Sequence, residues 1–249
     1  MPDQHRAARQ RQVKVHQPWI APSLLAADPL RIAEAVLALE STADELHVDV
    51  MDLHFAPNVF GSEHLVRHLV ELLPAPVTCH LMIEDPDHWA PRFAEIGAQQ
   101  VVVHAETTRD LVGTARSVRA AGARVGVALL FSTPVERYAD VLAEFTSVLV
   151  LTVPFAGLGG QRRAPRAWER VAEVRRLVDG LGLELQVVTD GGVDAASIAS
   201  FLAAGADGAV VGTDVFAHAD PAARVRLLRK LGAEGLARRA ATGATSVSD

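Results

Sequence analysis

The chain has 249 residues, 49% of them hydrophobic, and a formal net charge of −6. That hydrophobic share suffices for a large core, while the acidic balance argues against a nucleic-acid backbone or an anionic membrane surface as the main partner, since both reward Lys and Arg. Two lysines occur, Lys14 and Lys230, and neither ends a predicted strand, which leaves no candidate for a Schiff-base, P-loop or barrel lysine.

From the N-terminus, Met1 to Gln17 is polar and rich in Arg, Gln and His without an apolar h-region, so it reads as a disordered extension rather than a secretory signal. Strand-like runs then follow at Trp19–Ser23, Glu45–Met51, Val77–Ile83, Gln100–His104, Arg124–Leu130, Ser147–Val153, Glu184–Asp190 and Gly208–Gly212. Helical patterns fill the gaps at Pro29–Glu40, Glu63–Leu73, Pro86–Ile96, Arg109–Ala121, Pro134–Glu144, Pro165–Asp179, Asp194–Ala204 and Pro221–Leu231. Several open on Pro or a capping residue and several close on Gly97, Gly122, Gly180 or Gly205. Eight β-then-α units predict a parallel sheet, and eight is the number that closes a (β/α)8 TIM barrel. A doubly wound open sheet would show a Gly-x-Gly-x-x-Gly after its first strand, where this chain has Ser23-Leu-Leu-Ala-Ala-Asp. The expected organisation is one α/β barrel domain over residues 18–234, with a flexible tail over 235–249. No apolar run reaches the ~18 residues that span a bilayer, and the single cysteine, Cys79, excludes an intrachain disulfide and suggests a reducing, cytoplasmic setting.

Polar residues gather at the C-terminal ends of the strands, where a barrel places its chemistry. In a strand, residues i, i+2 and i+4 share a face, so His47, Asp49 and Met51 point together while Leu46, Val48 and Val50 point the other way. His80 and Met82 form a second such pair, and Asp190-Gly191-Gly192 ends the seventh run. In a closed sheet two imidazoles and two carboxylates would converge under a lid of thioethers. That donor set, with a net charge of −2, suits a divalent metal: Zn²⁺ first, with Fe²⁺, Mn²⁺ or Co²⁺ as alternatives.

Other polar residues have plainer readings. Cys79 alternates away from the site face and reads as packing, and Asp52 has the wrong parity for a ligand and reads as holding the next turn. His104-Ala-Glu106 is either a support for a ligand or an exposed loop pair. His54 is open between a supporting and a loop role, and His64, His68 and His88 read as solvated helix residues.

Through Ile20-Ala-Pro-Ser23-Leu-Leu, Leu46-His-Val-Asp-Val-Met-Asp52, Phe55-Ala-Pro-Asn58, Cys79-His-Leu-Met-Ile83, Gly159-Gly-Gln161 and Asp190-Gly-Gly192, the chain resembles the ribulose-phosphate 3-epimerases and their sugar-phosphate relatives over residues 19 to 232. The resemblance implies a barrel, a divalent metal, and epimerisation at C3 of a ketose phosphate of the ribulose 5-phosphate type. By position it implies His47, Asp49, His80 and Asp190 as metal ligands and Asp49 and Asp190 as the two proton-transfer groups. It also implies that Ser23, Met51, Met82, Gly191 and Gly192 meet the substrate, with Gly157, Gly159, Gly160, Gly212 and Thr213 at its phosphate end, and that the protein is a homo-oligomer.

Inverting a carbon beside a ketone requires a base on each face and a cation for the oxygens as charge develops. Apolar thioethers above the site would exclude water and strengthen that electrostatic pull.

The chain departs from the family pattern at several loops. Leu53 stands where Gly is usual, Leu151 replaces the third lid methionine, Leu130-Phe131 replaces Asn-Pro, and the loop after Asn58 is about one residue shorter. The segment Val153 to Gln161 is about one residue longer. Asp214 follows Thr213 where a small residue is usual, and it would either oppose a dianion at the helix start or cap the helix. Arg162, Arg163 and Arg166 could supply compensating charge or form a solvated helix start. These changes leave open a 3-epimerase for a six-carbon or unphosphorylated ketose, or a weakly active or non-catalytic sugar-phosphate-binding relative.

Overall fold

The computed structural model describes residues 17–39, 42–72 and 75–245. Its strands are β1 (Trp19–Pro22), β2 (Leu46–Asp52), β3 (Val59–Phe60), β4 (Val77–Met82), β5 (Gln100–His104), β6 (Arg124–Leu129), β7 (Ser147–Leu151), β8 (Gln186–Asp190) and β9 (Gly208–Val211). They form one sheet in the order β1-β9-β8-β7-β6-β5-β4-β2-β3, and every pairing is parallel except that of β3 with β2. A parallel bridge between Ser23 and His47 joins β1 to β2 and closes the ring. The closed (β/α)8 architecture is the one expected.

Alternation along the strands produces two apolar layers. Val48, Val50, Cys79, Leu81, Val101 and Val103 face outward into the core shared with the helices. Ala21, Met51, Met82, Val102, Leu149, Leu151 and Val188 fill the interior. The predicted parity of Leu46, Val48 and Val50 against His47, Asp49 and Met51 follows from the same pleat.

The helices are α1 (Ile32–Leu39), α2 (Glu63–Leu72), α3 (Pro86–Ile96), α4 (Leu111–Ala120), α5 (Ala167–Gly180), α6 (Ile198–Ala204), α7 (Thr213–Phe216) and α8 (Pro221–Thr245). The expected helix over Pro134–Glu144 is instead 3-10 over Val135–Glu144. Its first and last turns close by i→i+3 bonds, Arg137 N–H to the Pro134 carbonyl and Phe145 N–H to the Leu142 carbonyl. The strand Val59–Phe60, absent from the expected elements, is too short to carry a pattern, and it forms because Met51 and Asp52 offer an edge to pair with.

The tail is the largest difference. α8 runs through Gly232 and Gly235 to Thr245, so the boundary expected at residue 234 lies inside a helix and residues 235–245 are not a flexible tail. Tertiary contact explains it. A side chain at Gly235 would collide with the Ala199 carbonyl of α6, so the two helices meet at backbone distance. Arg239 then donates to the Ala206 carbonyl at 3.1 Å and to Asp207 at 3.0 Å. Residues 1–16 and 246–249, the outer parts of both expected extensions, lie outside the described residues.

Leu53, at the head of the loop after β2, has φ +67° and is 63% exposed. A β-carbon in this left-handed region costs about 1–2 kcal/mol, and the exposed side chain returns little packing. Leu53→Gly is therefore expected to stabilise the protein by up to about 1 kcal/mol after the entropy gained by the unfolded chain is subtracted; urea denaturation would measure it.

Candidate functional site

Asp49 and His80 lie directly opposite one another on adjacent strands β2 and β4, with Met51 opposite Met82 one pleat higher. Asp190 ends β8 across the barrel mouth. The closed ring brings one donor atom from each of His47, Asp49, His80 and Asp190 within 4.8 Å of one another. His47 Nε2 is 3.3 Å from Asp49 Oδ1 and 3.9 Å from Asp190 Oδ2, while His80 Nδ1 is 3.3 Å and 3.5 Å from the same two oxygens. Both histidines are completely buried, and neither ring nitrogen of His47 has a hydrogen-bond partner. A buried imidazole with no partner, aimed at two carboxylates, is what an ion between them would satisfy, and the N/O donor chemistry fits a divalent metal.

Burial disfavours the charge on Asp49, yet His47 and His80 outweigh it and hold the carboxyl far below the usual carboxylate range. Burial likewise opposes a charge on His80, but Asp190 and Asp49 overcome it and raise the imidazole to about 9. Without an ion, His80 keeps a proton where the metal would sit. Ser23 donates to the second oxygen of Asp49, Oδ2, at 2.7 Å.

Beneath the ligands, His104 is completely buried, with its Nε2 3.1 Å from His80 Nε2 and its Nδ1 2.9 Å from Glu106 Oε2. Burial, aided by the neighbouring His80 and against the pull of Glu106, lowers His104 to about 4 and keeps it neutral. Of the two readings of His104-Ala-Glu106, the exposed loop pair is thus set aside. Asp52 does hold the turn: it accepts from the backbone N–H groups of His54 at 2.9 Å and Glu84 at 2.8 Å. His54 itself sits on the exposed loop beside it. Cys79 is fully buried, and that burial raises its thiol pKa, consistent with packing.

Above the four donors opens a cavity of about 820 Å³. Ser23, Asp49, Met82, Asp190, Gly157, Gly159, Gly160, Gly191, Gly192, Gly212 and Thr213 all line it, together with Leu151 and Val153. Met51, expected to meet the substrate, lies off the cavity wall. Its sulfur packs 2.7 Å from where a β-carbon on Gly157 would be, so it supports the loop after β7 from below. Asn58 Nδ2 donates to the Gly157 carbonyl at 3.0 Å, tying that loop to the one after β2. Gly192 has φ +66°, and a β-carbon there would stand 2.5 Å from the Arg163 nitrogen, so glycine is required.

Asp214 has neither of its expected roles. Its carboxylate takes a two-pronged ion pair from Arg224, 2.6 Å and 2.9 Å, and accepts from Ala195 N–H at 3.2 Å. The negative charge beside Thr213 is thereby neutralised, and the loops after β8 and β9 are joined. Arg162, Arg163 and Arg166 all reach the cavity lining, with Arg163 5.1 Å over the Trp168 ring and 3.8 Å from Asp194. Sequence reasoning missed Thr152, which donates to the Gly191 carbonyl at 2.6 Å and steadies the end of β8; a lone threonine after an apolar run carries no signal.

Residues 19–216 match the family model described as the ribulose-phosphate 3 epimerase family. The chain belongs to this family. It is 46% identical over 213 residues to the ribulose-phosphate 3-epimerase of Mycobacterium tuberculosis, covering 86% of this chain and 92% of that one. The Escherichia coli ribulose-phosphate 3-epimerase is 34% identical over 203 residues, 81% of this chain and 90% of its own. Among solved structures, KGPDC from Streptococcus mutans superposes with a TM-score of 0.69 at 15% identity, over 86% of this chain and 96% of that one, a likeness of fold.

With His80 as a ligand, the affinity of the protein for a divalent metal is expected to rise about tenfold per pH unit toward pH 9 and to level off above it, because His80 must lose its proton to bind while Asp49 is ionised throughout. Conversely, the raised His80 pKa stabilises the metal-free fold below about 6.5, and that stability is lost as pH climbs through about 9. Chelator competition and thermal melting across pH 6 to 10 would read the two trends.

Proposed function

We propose that the protein is a metal-dependent isomerase that inverts C3 of ribulose 5-phosphate, giving xylulose 5-phosphate. The observation that carries this reading is the juxtaposition of two carboxylates, Asp49 on β2 and Asp190 on β8, across one cavity and around one set of four donors. A divalent metal held by His47, Asp49, His80 and Asp190 would supply Lewis-acid stabilisation of the oxygens of the ketose as C3 loses its proton. Zn²⁺ is our assignment, since two imidazoles and two carboxylates make a compact four-donor set; Fe²⁺, Mn²⁺ and Co²⁺ are the other candidates.

The remaining chemistry belongs to the chain. Asp49 directs Oδ1 at the histidines, leaving Oδ2, beside the Ser23 hydroxyl, to take the C3 proton from one face. Asp190 directs Oδ2 at the histidines, and its Oδ1, carrying a solvent-derived proton at the start of turnover, returns that proton to the other face; Asp49 then gives its own proton up to solvent as Asp190 regains one. A carboxylate that shares its charge with neighbouring cations is a weak base, which lets it release the proton as readily as it gained it. Met82, Leu151 and Val153 keep water from the carbanion. At the phosphate end, backbone N–H groups at Gly191, Gly192, Gly212 and Thr213 would receive the dianion, and Gly157, Gly159 and Gly160 would cover it.

Arg224 weakens one of the reasons to assign a different ketose, because its ion pair neutralises Asp214 beside the phosphate end. The same reading takes the working enzyme to be a cytoplasmic homo-oligomer. Its support is the family resemblance and, for assembly, a groove edged by the exposed Val59 and Trp89. Among the described residues no helix is long and apolar enough to cross a membrane.

The test is NMR-detected uptake of solvent deuterium at C3 of ribulose 5-phosphate by the metal-loaded protein. Asp49→Asn and Asp190→Asn should each lower exchange or turnover by about 10²–10⁴-fold, and retained exchange in both variants would sink the two-base assignment. A second expectation concerns the seat: Arg224→Met, which leaves Asp214 unneutralised, should raise KM for the phosphorylated ketose by roughly five- to tenfold with kcat little changed. Adding Asp214→Asn to that variant should restore KM; steady-state kinetics of the two proteins would decide.

A further inference from the structure

We propose that His104 and Glu106 are positioning residues that lock His80 in the one tautomer able to offer Nδ1 to a metal, and that they thereby set the affinity of the site for its ion. The proposal rests on the metal-site reading but not on the epimerase chemistry.

The proton positions follow by elimination along the chain of contacts. Glu106 Oε1 accepts from the Leu130 N–H at 2.8 Å, which fixes the carboxylate. Its other oxygen lies 2.9 Å from His104 Nδ1, and because a carboxylate accepts, that nitrogen carries the hydrogen. A neutral His104 then has a bare Nε2. This bare nitrogen lies 3.1 Å from His80 Nε2, so the hydrogen between the two rings sits on His80. A neutral His80 protonated on Nε2 has its lone pair on Nδ1, the atom that faces Asp49 and Asp190 at 3.3 Å and 3.5 Å.

Packing leaves the chain little freedom. His80 and His104 stack with centroids 5.0 Å apart and an interplanar angle of 23°. The Phe55 ring covers His104 at 4.6 Å. Both imidazoles are completely buried, so water does not compete for the shared hydrogen. A histidine that merely filled space would not need a donor, His80 Nε2–H, on one side and the fixed Glu106 carboxylate as acceptor on the other.

The experiment uses the full chain labelled with [15N]histidine and loaded with zinc. Two-bond 1H–15N correlation spectra should report His80 protonated on Nε2, with Nδ1 metal-bound. Chelator competition should show zinc binding weakened by about 10–100-fold in His104→Phe and in Glu106→Gln. His104→Gln, whose amide oxygen can still accept from His80, should recover most of the loss. Melting of the metal-stripped proteins separates packing from ligand order: His104→Phe is expected to match the parent there, and if it does not fold, Glu106→Gln decides. Zinc affinity in Glu106→Gln and His104→Phe equal to that of the parent, His80 protonated on Nδ1 in the loaded protein, or no zinc binding by the parent would each overturn the proposal. Because no readout is turnover, an inactive but zinc-binding protein would refute the epimerase reading and leave this one standing.

Discussion

Two imidazoles and two carboxylates meet in the barrel mouth where little water reaches, and any one of them charged and alone there would cost several kcal/mol. Mutual compensation is therefore the condition for the rest of the site. It is met in layers: Asp49 is balanced by His47 and His80 on one oxygen and satisfied by Ser23 on the other, while His80 is held from behind by His104 and Glu106. The unpartnered Nε2 of His47, which faces both carboxylates, marks where the compensation is left for an ion to complete.

The same economy shapes the anionic end. Helix starts and glycine backbones attract a dianion, and an aspartate at residue 214 would spoil that potential if it stood alone. Arg224, a turn into α8, answers it with two hydrogen bonds, and Ala195 N–H binds the same carboxylate, so the residue that threatened the seat joins its two loops. On the opposite rim, Asn58 and Met51 support the loop at Gly157. Of the departures from the family pattern, Asp214 is answered by an ion pair and Leu53 holds a left-handed backbone at a cost, while the strand ends keep their donors.

Period-two alternation made the strands legible, and with them the inward set of His47, Asp49, Met51, His80 and Met82, because a pleat admits one parity. Eight repeats of strand and helix made the barrel legible, because parallel strands require crossovers and eight close a ring. The four-residue donor set followed from those two facts and the residue types. Asp52 was placed correctly as a turn residue by parity alone.

What local pattern cannot carry is which distant groups face each other. Whether His104 supports His80 or faces solvent depends on the β4–β5 register. Met51 and Met82 share a parity, yet the loop after β7 lies on Met51 and leaves Met82 on the cavity wall. Asp214 was ambiguous because its partner lies in another helix, and residues 235–245 read as tail because their small and polar residues carry no apolar pattern, whereas Gly235 packs on α6 at backbone distance. The sequence by itself determined the elements, the inward parity and the chemical types, since those depend on neighbours along the chain. The tertiary structure alone decided the partners, since hydrogen bonds and ion pairs depend on which loops and strands the closed barrel brings within 3 Å or so of each other.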